Sequence, residues 1–118
     1  MNRFMNDALT VLDKYDRFRF GKISRIQTQD KTVRVTLAVG NDEGDYTDTL
    51  LLVFHEVVAS KLFAPHMLDF LDLSEGVTLL FEHDQVGFAP GVASSMHYMH
   101  SAPFYIVASN ITYKELTT

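Results

Sequence analysis

Two histidines three residues apart lie in the segment SSMHYMHSAPFY (94–105), beside two methionines at the same spacing. Residues three apart share a face of a helix, so one helical turn would place His97 and His100 side by side. If His83 came alongside, three imidazole nitrogens could hold a metal ion such as zinc. The methionine sulfur atoms would also suit copper. The pattern predicts, as one alternative, a small-ligand or metal-binding domain, an enzyme among these, with a site bordered by residues 83–100.

The same segment also fits a role in packing or in an interface. A histidine pair with the spacing HxxH is much less specific than the HExxH motif or paired CxxC motifs. Residues 91–103 form a connection that is long for a compact domain, and long ordered connections often carry function. We expect Met96, Tyr98 and Met99 to fold back over the sheet and to contribute to partner binding.

Catalytic signatures are missing from the sequence. It contains no GxSxG motif, no Walker loop and no GxGxxG motif. The run Glu82-His83-Asp84 offers acids and a base, but successive residues of a strand point to opposite faces. The serines before His97 could act as nucleophiles only in a pocket with converging groups, which the sequence does not reveal. The sequence therefore predicts no catalytic residue and no cofactor, and it favours a non-enzymatic role.

Charge is divided unevenly along the chain. Residues 1–35 contain eight Lys or Arg and four Asp or Glu, whereas residues 36–118 contain two and eleven. The net charges of these two parts are therefore +4 and −9, which give the total of −5. Arg17 and Arg19 alternate with two phenylalanines, so we expect them to project from one face of a strand. This pair would suit an acidic protein partner or the acidic surface of a second copy of the chain.

Composition limits the class of protein. The 118 residues are predicted to form one domain, residues 1–118, and the absence of cysteine excludes disulfides and thiolate chemistry. The negative net charge argues against nucleic-acid binding, because it would repel a phosphate backbone. No apolar run approaches the roughly 20 residues of a membrane helix. Asp7 and Asp13 interrupt the stretch in which a secretory signal would lie, so we expect a cytoplasmic protein.

Apolar periodicity predicts the elements in the first half of the chain. The clearest strand covers 32–40 and is expected to form a hairpin with a second strand, 46–57. The second strand is apolar on both faces, so it should be central or covered by helices. A first strand is expected over 17–27, with a bulge at Gly21, where the alternation slips. Residues 3–15 have apolar side chains at helical spacing and predict an N-terminal helix.

The second half adds further strands and one helix. A helix that begins with a proline turn is expected near 62–73. Strands are expected on either side of a turn near His83, and a last strand over 104–116 should be bulged around Ser109-Asn110. These elements predict an α+β fold with a strongly curved, mainly antiparallel sheet of about 5–6 strands, an N-terminal helix and a second helix near 62–73.

The rhythm L-x-L-x-F-x-x-V of residues 50–57 resembles that of small bacterial β-rich families, some immunity proteins of toxin systems among them. Any half-buried strand followed by a turn produces this rhythm, so the resemblance implies no family and assigns no residue a role.

The function expected from these features is protein binding. The uneven charge, the apolar second hairpin strand and the missing catalytic motifs favour a small, soluble, bacterial-type protein that acts as a non-enzymatic protein-binding or regulatory domain. Its partner would be another protein or a second copy of the chain in a homodimer.

Overall fold

A sheet dominates the structure. The computed structural model describes residues 10, 12–14, 16–40, 46–71, 73–91 and 95–116. The strands are β1 (Lys22–Gln29), β2 (Thr32–Gly40), β3 (Tyr46–Lys61), β4 (Val77–Glu82), β5 (Gln85–Pro90) and β6 (Tyr105–Leu116). The helical segments include two short 3₁₀ helices, η1 (Asp16–Phe18) and η2 (Pro65–Phe70), and the one-turn α-helix α1 (Met96–Met99). The six strands form one antiparallel sheet in the order β1-β2-β3-β6-β5-β4.

The predicted hairpin of residues 32–40 and 46–57 is confirmed by β2 and β3. The two strands pair antiparallel from Val33↔Phe54 to Gly40↔Tyr46, and β3 continues to Lys61. Every second side chain of β2 is buried, because alternate residues of a strand share one face. β3 lies inside the sheet between β2 and β6, as its apolar residues on both faces predict.

The core lies on one face of this sheet. Buried side chains alternate along β2 and β3 and continue across the other strands, among them Val35, Leu37, Leu52, Phe54, Ile111, Ile106, Phe88 and Leu79. Residues from outside the strands join the same cluster: Leu12, Phe18, Leu68, Leu73 and Phe104. The burial of these apolar side chains is the main force that holds the sheet and its covering segments together.

The sheet is open, and the strong curvature that the sequence predicts is not found. A strongly curved sheet needs bends in most of its strands. A β-bulge, which shows as a register shift between two paired strands, is one cause of such a bend. Here a register shift interrupts three of the five strand pairs, once in each, whereas β4–β5 and β5–β6 are regular. The two 3₁₀ helices connect the edges instead: η1 precedes β1 and contacts β4, and η2 precedes β4 and contacts β1.

The helix predicted near 62–73 is shorter than expected and belongs to another type. The amide of Met67 donates to the carbonyl of Ala64 (2.8 Å), and that of Leu71 donates to Leu68 (3.1 Å). These bonds join residues three apart and define a 3₁₀ helix, which rarely extends beyond a few residues. Leu71 is already extended, with φ −82° and ψ 112°.

Most of the predicted N-terminal helix, 3–15, lies outside the described residues. Residues 10 and 12–14 are helical, and the whole helix stays a prediction.

The first strand begins five residues later than predicted. Arg17 and Phe18 have φ values of 56° and 62° and form η1, so the stretch before Gly21 is a turn rather than a strand. The predicted bulge also moves: the register of β1 against β2 shifts between Ile23 and Arg25, not at Gly21. An extra residue at this point explains why Ile23 and Ile26, three apart, both turn toward the core.

A register shift on the neighbouring strand β3 lies beside the bend or bulge predicted at Ser109-Asn110. The register of β3 against β6 shifts between Val57 and Ala59, so β3 carries the extra residue. Glu56, immediately before it, has φ 55°. The sequence predicted a bend or bulge in the last strand without naming the strand that pairs with it. Ala108 and Ile111, three residues apart, both join the core, so β6 also departs from regular alternation around Ser109-Asn110.

The predicted strands on either side of His83 are confirmed. β4 and β5 pair from Val77↔Pro90 to Glu82↔Gln85, which leaves a two-residue turn. His83 and Asp84 in this turn have φ values of 52° and 62°. Positive φ at both positions is typical of the type I′ turn, whose twist matches that of the flanking strands.

Over the described part of the chain, no helix has the length and apolar character needed to cross a membrane.

Candidate functional site

The segment around α1 packs against the sheet through a glycine. A Cβ atom built on Gly87 of β5 would lie 2.5 Å from the Sδ of Met99 and 2.6 Å from the Sδ of Met96, so any larger residue here would require both methionine side chains to shift. Met99 is fully buried, and Met96 is half-buried. Tyr98 points the other way and is 64% exposed. Of the three residues expected to fold back over the sheet, the two methionines do so.

Two side chains hold the start of α1. The amide of Met96 donates to Oε2 of Glu82 (2.8 Å), and the amide of Tyr98 donates to Oγ of Ser95 (3.3 Å). Both acceptors satisfy amides that have no partner inside a helix. Glu82 is thereby engaged in a structural contact between β4 and α1, which explains its position without a catalytic role.

The three histidines of the predicted metal site are all exposed. The ring of His100 stacks on Tyr105 with a centroid separation of 5.0 Å, and the ring of His97 meets Tyr98 edge-on at 5.6 Å. His83 lies in the β4–β5 turn. Among the residues that the structure describes, no group of three or more His, Asp or Glu side chains could hold a metal ion. The metal site at His83, His97 and His100 therefore gains no support from the described geometry and stays a prediction.

Arg17 and Arg19 do not project from a strand. The Nε and Nη2 atoms of Arg17 both donate to the carbonyl of Val77, at 3.1 and 3.0 Å. Arg17 is half-buried, so this contact ties η1 to the edge strand β4. The guanidinium of Arg19 lies 5.7 Å from the centre of the Phe20 ring. Of the two arginines predicted to bind a partner, Arg17 is therefore engaged in a contact within the protein.

Replacing Arg17 by alanine is expected to lower the free energy of unfolding by about 1 kcal/mol, because the Val77 carbonyl loses a charged donor that water replaces only in part. Urea denaturation measures this change. The matched control is Arg25→Ala, which removes an exposed guanidinium from β1 and should cost less than about 0.5 kcal/mol. Equal losses from the two variants would contradict a structural role for Arg17.

The sheet face opposite the core forms a continuous surface across four strands. Strand pairing aligns Arg25 with Thr36, Thr36 with Leu51, and Leu51 with Lys114. The next row continues this alignment across all four strands, and a third row consists of the pairs Gln29↔Thr32 and His55↔Asn110. We name the twelve residues of the three rows the open sheet face: Arg25, Thr36, Leu51 and Lys114; Gln27, Arg34, Val53 and Thr112; Gln29, Thr32, His55 and Asn110.

All twelve side chains of the open sheet face are at least partly exposed. Its charged members are Arg25, Arg34 and Lys114, and it contains no acidic residue. Within the described part of the chain, these three cations form no ion pair. Leu51 and Val53 are half-exposed near the centre. Charged and apolar side chains therefore lie together on this surface.

Sequence reasoning found part of this surface. The alternation of β2 places Arg34 and Thr36 opposite the buried valines, and the same alternation could have located Leu51 and Val53. Arg25 joins them only because β1 has a register shift before it, and Lys114 only because β6 pairs with β3. Neither the register shift nor the pairing of β3 with β6 can be recognised from a short stretch of the sequence.

A shallow cleft lies between the β1–β2 turn and the bulged part of β3. Its volume is about 370 Å³, and it is lined by Thr28, Asp30, Lys31, Val33, Val57, Val58, Ala59 and Ser60. The charged side chains of the lining, Asp30 and Lys31, are exposed in the turn.

The open sheet face thus combines charged and apolar side chains on one exposed surface, and the described part of the histidine segment is engaged mainly in packing and ring contacts. Comparison of the chain with protein-family models, with characterised proteins and with solved structures found no match.

Proposed function

We propose that the protein is a non-enzymatic protein-binding domain and that the open sheet face is its interface. One observation carries this proposal: twelve side chains that all reach solvent stand on four strands joined by backbone hydrogen bonds. Apolar residues lie at its centre and polar residues surround them, as in protein interfaces in general. A strand scaffold also keeps these side chains in fixed positions, so binding requires little ordering of the backbone.

The open sheet face has the size of an interface centre. Neighbouring strands lie about 4.8 Å apart and alternate residues of one strand about 6.8 Å apart, so four strands and three rows cover on the order of 400 Å². One partner of a standard protein complex contributes about 800 Å². Residues at the border of the face, such as Lys22, would supply the remaining area.

A second copy of the chain is the other partner that the charges support. Exposed acidic residues lie elsewhere on the described surface, in the β1–β2 turn (Asp30), on β3 (Glu56) and at the two ends of β4 (Glu75 and Asp84). Contact between a basic face and an acidic region elsewhere would be heterologous. Copies joined by such contacts form a closed ring only when the rotation between neighbours permits it, and otherwise they form an open filament. A different protein is therefore the simpler partner.

The experiment is site-specific photo-crosslinking in the producing cells. A benzophenone amino acid replaces Gln27 of the open sheet face in one variant and Asp84 of the β4–β5 turn in another. Both positions are exposed, so neither replacement disturbs the core. Illumination is expected to give a discrete polypeptide adduct from position 27 and not from position 84, because only the first lies in the interface.

The adduct is analysed by its mass and by peptide sequencing. An adduct with another polypeptide, found at position 27 alone, supports binding of a protein partner. An adduct of two identical chains, which light scattering on the purified protein should also detect, supports the homodimer. Equal adducts from both positions, or no polypeptide adduct from position 27, would overturn the proposal.

A further inference from the structure

The charges of the open sheet face indicate what kind of partner it binds. We propose that this face binds an acidic polypeptide segment that also carries apolar side chains. This inference rests on the proposed function, because it names the partner of the same surface. Its first basis is that the face has three cations and no anion in a protein whose net charge is −5.

The three cations lie in two adjacent rows of the face. Arg25 and Lys114 end the same row of paired residues, three strand spacings apart, which is about 14 Å. Arg34 lies in the adjacent row, on the strand between β1 and β3. The arginine guanidinium groups bind carboxylates through two parallel hydrogen bonds, which water-exposed lysine does not reproduce. Several carboxylates spaced along a segment would therefore each find a cation.

The apolar part of the partner follows from β3. Leu51 and Val53 stand at alternate positions of this strand, are partly exposed, and belong to the two rows that contain the cations. A partner made only of carboxylates would leave them in water, whereas apolar side chains would cover them. A short helix with leucines on one side and glutamates beside them fits both features, and helices pack readily on sheet faces.

Nucleic acid would fit this face less well. Proteins that hold single strands stack bases on aromatic side chains, and the open sheet face has no Phe, Tyr or Trp. A phosphate backbone also extends well beyond the face and would meet the negative charge of the remaining chain. An acidic peptide of limited length contacts the cations without this repulsion.

The experiment is an NMR titration of the full chain with three probes at low salt. The first is a 14-residue helix-forming peptide of glutamate and leucine with its leucines on one side. The second replaces every glutamate by lysine, and the third is a 14-nucleotide single strand of DNA. We expect the glutamate peptide alone to saturate, with amide shift changes on β1, β2, β3 and β6, and its affinity to fall as salt is added.

Two variants with the same net charge separate a local effect from a global one. Arg25→Glu with Arg34→Glu reverses two cations of the open sheet face, and it should weaken binding of the glutamate peptide about tenfold or more. Lys31→Glu with Lys61→Glu reverses two exposed lysines outside the face and should leave the affinity within about twofold. Circular dichroism checks that both variants keep the fold.

Each outcome decides the inference. Loss of binding in the face variant alone supports it. Equal losses in both variants, saturation by DNA or by the lysine peptide, or no binding of the glutamate peptide would overturn it. If the crosslink at Gln27 identifies a polypeptide partner while the glutamate peptide does not bind, the interface stands and the acidic partner is wrong. If position 27 gives no polypeptide adduct, the proposed function itself fails.

Discussion

Phe88→Ala should lower the free energy of unfolding by about 3–5 kcal/mol, which is much of the stability of an ordinary domain. Phe88 of β5 is fully buried. Its ring centre lies 5.4 Å from that of Phe54 on β3 and 6.4 Å from that of Phe104, just before β6. Truncation would leave a cavity among three segments that the regular strand pairing holds in place, so the neighbours could fill it only in part.

The measurement is urea denaturation followed by far-ultraviolet circular dichroism. The matched control is Phe20→Ala, the same change at a side chain that is 38% exposed. The control should cost less, about 1–2 kcal/mol, because its side chain already stays 38% exposed in the folded state and its truncation leaves no enclosed cavity. If Phe88→Ala destabilised the protein no more than Phe20→Ala, the core described for β3, β5 and the residues before β6 would be wrong.

Local periodicity was sufficient to predict the strands at the centre of the sheet. The residues of β2 alternate strictly between valine or leucine and polar or small residues, and the burial follows this alternation. The hairpin β4–β5 was also predictable, because two apolar runs flank a short polar stretch with His83-Asp84 at its centre. In both hairpins, β2–β3 and β4–β5, the first strand pairs with the strand that follows it directly in the chain, so the local sequence is sufficient to predict the pairing.

Prediction failed where a distant contact decides the local conformation. Arg17, Phe18, Arg19 and Phe20 alternate as a strand would, yet they form η1 and a turn. The bidentate hydrogen bond from Arg17 to the Val77 carbonyl, sixty residues away, and the complete burial of Phe18 stabilise this conformation. No pattern within the segment reports either contact, since both depend on how η1 meets β4.

The same limit applies to the open sheet face. The sequence drew attention to Arg17 and Arg19 and to the histidines, because unusual residues cluster there. The open sheet face instead combines common residues from four strands, and its charge becomes visible only when β1, β2, β3 and β6 are placed in order. A surface of this kind has a signature in the topology and none in any short stretch of sequence.

Gly87→Val should lower the free energy of unfolding by about 2–3 kcal/mol and displace α1 from the sheet. A single added Cβ atom would already lie 2.5 Å from one methionine sulfur and 2.6 Å from the other, and valine adds two methyl groups to it. Met99 is fully buried and has no free space to enter, whereas Met96 is half-buried and can move outward. The strain should therefore be relieved by lifting the start of α1, where the Met96 amide is bonded to Glu82.

Hydrogen exchange at the Met96 amide and thermal unfolding measure the two parts of this effect. Exchange should become faster in Gly87→Val, because lifting α1 breaks the bond to the Glu82 carboxylate. In a Met96→Ala background, the cost of Gly87→Val should fall by about 1 kcal/mol, since one of the two clashing sulfur atoms is gone. Ala38→Val, which adds the same two methyl groups to a half-exposed position of β2, serves as the control and should change stability by less than about 0.5 kcal/mol. Unchanged exchange together with additive costs in the double variant would show that the methionines do not pack on Gly87, and α1 would then need another reason to lie where it does.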